Sequence, residues 1–157
     1  MVSVQFAFNS DKAVSKFLES RIEYIARKVG RQMRELKPNQ SMSILVEGHT
    51  DNTGLFYRNE ELSNRRAETE VTQLRRYLQY VLYLPSDQAL SQYLKDHKST
   101  LKSQGYADKK PFELITIEGG QTKTELVGDN RNPEGRTINR RIMAEIKVKT
   151  GGVEKTE

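Results

Sequence analysis

The chain has 157 residues, of which 35% are hydrophobic and 30% are charged, and this length and composition predict one compact domain with a substantial core. It contains no cysteine, which excludes disulfides and thiolate metal ligands or nucleophiles. The formal charge of +5 comes from 26 basic and 21 acidic residues interleaved along the chain. That pattern is typical of a solvated mixed-charge surface, and nothing beyond net charge indicates nucleic-acid binding.

The N-terminal third alternates between strand and helix patterns. Apolar residues recur at every second position over 2–8 and predict a strand, with turn formers at 9–11. From Val14 to Leu36 they recur every three or four positions and predict a long amphipathic helix. A second strand over 42–46 runs into Gly48. No apolar run is long enough to cross a membrane, and we expect a soluble chain, although a start inside a strand is also what removal of an upstream anchor would leave.

The remainder continues the α/β pattern. We expect a second helix with Ser63 as its N-cap and Pro85 at its end, and a third helix over about 86–101 that exits at Gly105. A strand over 112–118, a polar loop over 119–137 and a final strand over 142–148 follow. Residues 150–157 are expected to form a disordered tail. The predicted fold class is α/β, an α+β sandwich in which helices cover one face of a single mixed sheet.

The stretch GHTDNTGLFYRNEELSNRRA, residues 48–67, has the composition of a ligand site. It follows the end of a strand, where ligands of α/β sheets tend to bind. Asp51 is a turn former, and Arg66 in the first turn of a helix capped by Ser63 would project towards the same loop. Such a pair would receive a zwitterion, Asp51 taking an ammonium and Arg66 a carboxylate, with help from free amides near Ser63 and Asn64. An internal salt bridge explains the same spacing equally well.

The neighbouring residues have supporting roles in this interpretation. Arg65 lies about 100° around the helix from Arg66 and should face solvent. Asn59 is placed to bridge loop and helix through its amide. His49 and Asp51 are too few ligands for a metal centre, and no nucleophile and base, phosphate-binding loop or metalloprotease pattern occurs. We therefore expect no metal, no cofactor and no catalysis.

A second polar cluster, NPEGRTINRRI at 132–142, precedes the last strand. Structural salt bridging is the expected role of Arg136, Arg140 and Arg141. If the last strand pairs beside the strand that ends at Gly48, its entry would bring one of these arginines near Asp51. That arginine would then buttress the loop or close the pocket.

Together, GHTDNTG, Asn59, LSNRRA and the later GRTINRR resemble the OmpA-like peptidoglycan-binding domain family, and VQFAFNSDKA matches the family's opening strand. The resemblance covers residues 2–83 and about 116–148. It implies a βαβαβ-type core in a domain spanning 1–149 and non-catalytic binding of the peptidoglycan stem peptide through its diaminopimelate. By position, the family's ammonium-binding aspartate is Asp51 and its carboxylate-binding arginine is Arg66. The other positions that match the family's pocket are Thr53, Asn59, Leu62 and Arg140.

The resemblance also implies a setting. We expect a periplasmic domain of a membrane-anchored bacterial protein, the anchor or channel lying outside this chain, and family relatives often form homodimers. The sequence departs from the family at about 84–111, where one extra helix is inserted. The alternatives left open are a stator-like anchor of a membrane ion channel, an OmpA-like fold used for protein interaction, and a peptidoglycan hydrolase.

Overall fold

A computed structural model of the protein describes residues 3–5 and 16–151. The predicted turn at 9–11, most of the predicted strand over 2–8 and residues 152–157 of the predicted tail lie outside the described residues. Ten elements occur in the described part, in the order β1 Ser3–Gln5, α1 Lys16–Arg34, β2 Gln40–Gly48, α2 Phe56–Val81, α3 Asp87–Asp96, β3 Thr100–Gly105, β4 Glu113–Glu118, β5 Gln121–Leu126, α4 Pro133–Asn139 and β6 Arg141–Thr150.

The main sheet has four strands in the order β1-β6-β2-β3. β6 runs antiparallel to both β1 and β2, while β2 and β3 are parallel and end together at Gly48 and Gly105. Parallel neighbours need a crossover connection, and α2 and α3 supply it. The C-terminal end of β2 therefore lies between the end of β3 and the beginning of β6.

The core lies on one face of this sheet. Met42, Ile44 and Val46 are buried, whereas the residues between them on β2 are only half-buried. This alternation turns one face of the pleated strand inward. The buried partners come from α1, α2, α3 and β6, and they are Ile22, Ile25, Ala26, Val29, Met33, Ala67, Leu74, Leu78, Leu90, Leu94, Ile142 and Ala144. The expected α/β class, with helices on one face of a mixed sheet, is confirmed.

Three boundaries differ from the sequence-based prediction. α2 begins at Phe56 and not at Ser63. Before Ser63 its buried residue is the polar Asn59, so an apolar pattern does not reveal these turns. α3 ends at Asp96, and residues predicted as its last turn form β3. Lys98 has a φ of 51° just after α3, a conformation incompatible with continued helix. The segment 84–111 thus holds both a helix and an edge strand of the main sheet.

The predicted polar loop at 119–137 is wrong, because it contains β5 and α4. The predicted strand at 112–118 is present as β4, but it pairs with β5 in a separate two-stranded hairpin. Every residue of β5 is exposed, so no apolar alternation marks it as a strand. The tight turn at Gly119 and Gly120, both at positive φ, closes the hairpin. The final strand is confirmed, and it extends to Thr150.

Candidate ligand-binding site

The ends of β2 and β3 lie directly against α2. A Cβ added to Gly48 would clash with the Ser63 carbonyl, and one added to Gly105 would meet the Asn64 backbone nitrogen. Glycine at both positions permits this close approach. Side chains of α2 then bond the strand ends, because Asn64 Oδ1 accepts from the Gly105 N–H at 2.8 Å and Ser63 Oγ accepts from the Ala107 N–H at 3.0 Å.

The prediction that Ser63 caps a helix is wrong. It lies in the interior of α2, where its Oγ donates to the Glu60 carbonyl at 2.9 Å, and the N-cap position is Leu55. The amides near Ser63 and Asn64 are interior helix donors, so the expected free amides at the helix start are a wrong prediction. The helix face towards the strand ends is instead a polar stripe, buried at spacings of three and four along α2, and its members are Asn59, Ser63, Arg66 and Glu70.

The loop after β2 forms a compact corner around Asp51. Asp51 is 2% exposed, and its Oδ1 accepts from the Thr53 N–H at 2.9 Å. Asn59 Nδ2 donates to the carbonyls of Asp51 and Thr53 at 3.3 and 3.0 Å. Asn59 therefore ties the loop to α2, which is the bridging role predicted for it. Thr53 is exposed at this corner, and Leu62 is half-buried one turn after Asn59. We call these residues, with Arg140, the Asp51 corner.

The second carboxylate oxygen of Asp51 pairs with Arg140. Arg140 Nη1 donates to Asp51 Oδ2 at 2.6 Å, and its Nη2 donates to Thr137 Oγ1 at 3.0 Å. The arginine side chain is 18% exposed, whereas that of Asp51 is 3% exposed. β6 pairs with β2 so that Gly48 faces Ile142, and this register brings Arg140 to the corner. The conditional prediction that the last strand would bring an arginine to Asp51 is confirmed.

Arg66 lies beneath the corner. Its side chain is fully buried, and its Nη1 donates to the His49 carbonyl at 3.3 Å. The guanidinium thus contacts the backbone two residues before Asp51. Arg65 faces outward as predicted and lies 3.7 Å from Glu61 along the helix surface. The predicted position of Arg66 in the first turn of its helix is wrong, because α2 begins at Phe56 and Arg66 is buried in its interior. The arginine at the mouth of the corner is Arg140.

The other two arginines of the polar cluster at 132–142, Arg136 and Arg141, do not form the predicted salt bridges within the described residues. Arg136 Nη1 donates to the Asn130 carbonyl at 3.0 Å, and Arg141 Nη2 donates to the Lys110 carbonyl at 3.0 Å. Burial lowers the pKa of Arg141 to about 10, and Glu47 opposes that shift. Residue type alone does not reveal this environment.

His49 is almost fully buried and has a distinct environment. Its ring stacks on Tyr106 with a centroid separation of 5.5 Å, and its Nε2 lies 3.2 Å from Glu47 Oε2. Burial, with the nearby charges of Arg141 and Lys110, lowers the pKa of His49 to about 3. The imidazole is therefore neutral at physiological pH. Among residues 3–5 and 16–151, no three histidine or acidic side chains are grouped as a metal site.

Comparison with known proteins identifies relatives of the chain. The model of the OmpA family matches residues 16–140. Outer membrane protein Omp38 of Acinetobacter baumannii is 33% identical over 118 residues, which is 75% of this chain and 24% of that protein. Outer membrane porin F of Pseudomonas aeruginosa is 29% identical over 113 residues, which is 72% of this chain and 23% of that protein. The chain thus spans about a quarter of the length of these curated relatives.

A solved structure has the same fold. The C-terminal domain of Helicobacter pylori MotB aligns with a TM-score of 0.55 at 20% identity, covering 94% of this chain and 84% of that one. Within the described residues, no helix of the chain combines the length and apolar character that a membrane crossing requires.

Proposed function

We propose that this chain, which belongs to the OmpA family, binds the peptidoglycan stem peptide without cleaving it and so anchors a membrane-associated protein to the cell wall. The ligand group is the zwitterionic end of diaminopimelate. The setting is the periplasm, with the membrane anchor elsewhere in the full-length protein. The observation that carries the proposal is the Asp51 to Arg140 ion pair of 2.6 Å at the mouth of the corner.

The two charges of this ion pair match the two opposite charges of a zwitterionic head group. Asp51 already receives a cationic N–H donor in a defined direction, and a ligand ammonium is chemically equivalent to that donor. Replacement of Arg140 by the ammonium would free the guanidinium for the carboxylate of the same head group. Every charge keeps an opposite partner, because the internal ion pair is exchanged for two ion pairs with the ligand. A lone amine or a lone carboxylate would complete only half of the exchange.

The remaining corner residues support the exchange. Asn59 and the Thr53 amide hold Asp51 and its loop in place, so that ordering the site costs little on binding. Arg66 fixes the backbone beside Asp51 through the His49 carbonyl, and in this proposal its positive charge also attracts the ligand's carboxylate. Thr53 and Leu62 provide the outer wall. Affinity is expected to be modest and to fall with salt.

The test is cosedimentation of the purified domain with insoluble peptidoglycan. Asp51→Asn keeps the shape of the side chain and removes its charge, and we expect at least about a tenfold loss of binding. Arg65→Ala is the matched control, because it removes an exposed arginine next to Arg66 and should bind as the wild type does. Free diaminopimelate should compete, whereas Nα-acetyl-lysine, which has no free α-ammonium beside its carboxylate, should not.

Two results would contradict the proposal. Full binding by a folded Asp51→Asn variant, verified by circular dichroism, would remove the corner from the site. Release of soluble muropeptides by the wild-type domain, with no release by buffer alone, would replace anchoring by hydrolysis.

A further inference from the structure

A second pocket lies on the face of the main sheet opposite the core. Its cavity of about 620 Å³ is within the range of small-molecule sites. Glu47 and Met143 are register partners on β2 and β6, and the segment that follows β3 forms the opposite wall. We call it the His49 groove, and the lining residues that matter here are Glu47, His49, Lys110, Phe112, Arg141 and Met143.

The groove contains a buried guanidinium without a carboxylate partner. Arg141 is 4% exposed, and the groups its nitrogens contact are the Lys110 carbonyl, the Asn139 amide oxygen and the Met143 sulfur. None of these is charged. No carboxylate lies within ion-pairing distance of Arg141 in the part of the chain that the structure describes. A buried guanidinium without a direct ion pair is costly, and an anion in the groove would supply a carboxylate in direct contact with it.

His49 adds an unused hydrogen-bond acceptor. A carboxylate only accepts, so the contact of Nε2 with Glu47 assigns the ring hydrogen to Nε2 and leaves Nδ1 as an acceptor. Nδ1 is buried and has no hydrogen-bond partner among the described residues. A buried polar atom without a partner costs free energy, and a donor N–H on a ligand would satisfy it.

The rest of the groove separates charge from apolar surface. The Lys110 ammonium lies at the rim, 3.9 Å from Glu47 and 3.8 Å from the centre of the Tyr106 ring. The centre of the Phe112 ring lies 5.2 Å from Arg141 Cζ. Met143 continues this apolar wall of the groove. Glu47 contacts His49 and Lys110 directly, and it attracts Arg141 through space without forming an ion pair with it. The groove therefore offers two cations and an acceptor beside a small apolar surface, with the carboxylates of Glu47 and Glu113 also in its lining.

From these features we propose that the His49 groove binds the C-terminal end of a peptide. The terminal carboxylate of the peptide accepts hydrogen bonds from Arg141 and Lys110. The adjoining peptide amide N–H donates to His49 Nδ1. A small apolar side chain of the peptide lies against Phe112 and Met143. The site is separate from the Asp51 corner, because it opens on the other side of the strand end. His49 joins the two, since its carbonyl accepts from Arg66 while its ring lines the groove.

The experiment follows backbone amide shifts of the full chain during titration with N-acetyl-alanyl-alanine. The D,D and L,L forms distinguish a stem-peptide end from a protein end, and binding of either supports the proposal. We expect shifts at His49, Lys110 and Phe112. The same dipeptide with an amidated C-terminus should bind at least about tenfold more weakly, because the charge-assisted bonds to the carboxylate are lost.

Matched lysine variants locate the site. Lys110→Met should weaken binding of the dipeptide acid about fivefold or more, whereas Lys123→Met, which removes an exposed lysine of β5 outside the groove, should not. Equal binding of acid and amide, no shifts at about 10 mM dipeptide, or shifts confined to Thr53 and Asn59 would overturn the proposal. Because Asp51→Asn should leave dipeptide binding intact, failure here and failure of wall anchoring are distinguishable.

Discussion

Arg140 follows the last residue of α4 and Arg141 is the first residue of β6, yet their charges have opposite environments. Arg140 reaches the Asp51 corner and forms an ion pair of 2.6 Å with a buried carboxylate. Arg141 lines the His49 groove, where its contacts are neutral groups. Identical residues one position apart therefore give one region an internal ion pair and leave the arginine of the other without a direct carboxylate partner in the described residues.

The largest expected effect comes from breaking both regions together. Gly48→Ala would drive a Cβ into the Ser63 carbonyl of α2, and because the atoms it meets belong to the backbone, no side chain can move to relieve the clash. We expect a loss of more than about 3 kcal/mol of unfolding free energy, measured by urea denaturation. Ligand shifts in both regions should vanish as well. A loss below about 1 kcal/mol would show that α2 and the strand end separate easily.

The two arginines themselves provide the next test. Arg140→Met leaves the buried Asp51 carboxylate without its cation, and we expect a loss of about 2 to 3 kcal/mol. Arg141→Met replaces a buried charge that has no direct ion pair by an apolar side chain, and the loss should be about 1 kcal/mol or less. Adding Asp51→Asn should recover part of the Arg140→Met loss and none of the Arg141→Met loss. Equal costs for the two arginines, measured by the same denaturation, would contradict the comparison.

The pH dependence of stability should distinguish the groove from the corner. The pKa of His49 is lowered to about 3 in the folded protein from the ordinary 6.5, so unfolding takes up a proton at intermediate pH. The stabilisation is complete above the ordinary value and is lost as pH falls towards the folded value. Between about pH 7 and 5 we expect His49 to account for a loss of about 2 kcal/mol.

His49→Gln provides the control for this pH effect. Its unfolding free energy should change less between the same two pH values than that of the wild type, by about 1 to 2 kcal/mol. The comparison uses the change with pH, so a constant cost of the substitution does not affect it. Parallel pH profiles would show that His49 titrates normally in the folded protein.

The smallest effect is expected at Arg65. Its ion pair with Glu61 is on the exposed surface of α2, and such pairs contribute little. Arg65→Ala should change the unfolding free energy by less than about 0.5 kcal/mol. A larger loss would show that the outer face of α2 takes part in the corner.

Much of the geometry of the Asp51 corner could be predicted, because most of its contacts join residues that are close in sequence. Asp51 and Thr53 form the turn that their residue types favour, and Asn59 bridges loop and helix. Arg140 depended on one pairing assumption, that β6 lies beside β2, and that assumption holds. The start of α2 was missed because its inward face there is polar, and apolar periodicity does not detect a polar stripe. Continuing the spacing of Leu74 and Leu78 backwards through Glu70, Arg66 and Asn59 would have detected it.

The His49 groove could not be predicted in the same way. It depends on where the chain passes after β3, and the apolar spacing that includes Leu101 extends the predicted third helix into the start of β3. Arg141 is buried by the segment around Lys110 and Phe112, which is distant in sequence. No local pattern indicates that these segments meet. The orphaned Nδ1 of His49 is likewise a property of the assembled fold.

The central claim is that the Asp51 corner exchanges its internal ion pair for a zwitterion. The most direct test is a titration of a stem peptide containing diaminopimelate into the domain, followed by backbone amide shifts, with the corresponding lysine-containing peptide as control. We predict shifts at Thr53, Asn59 and Arg140 with the first peptide and much weaker ones with the second. Absence of shifts in the corner at millimolar peptide, or equal shifts with both peptides, would contradict the claim.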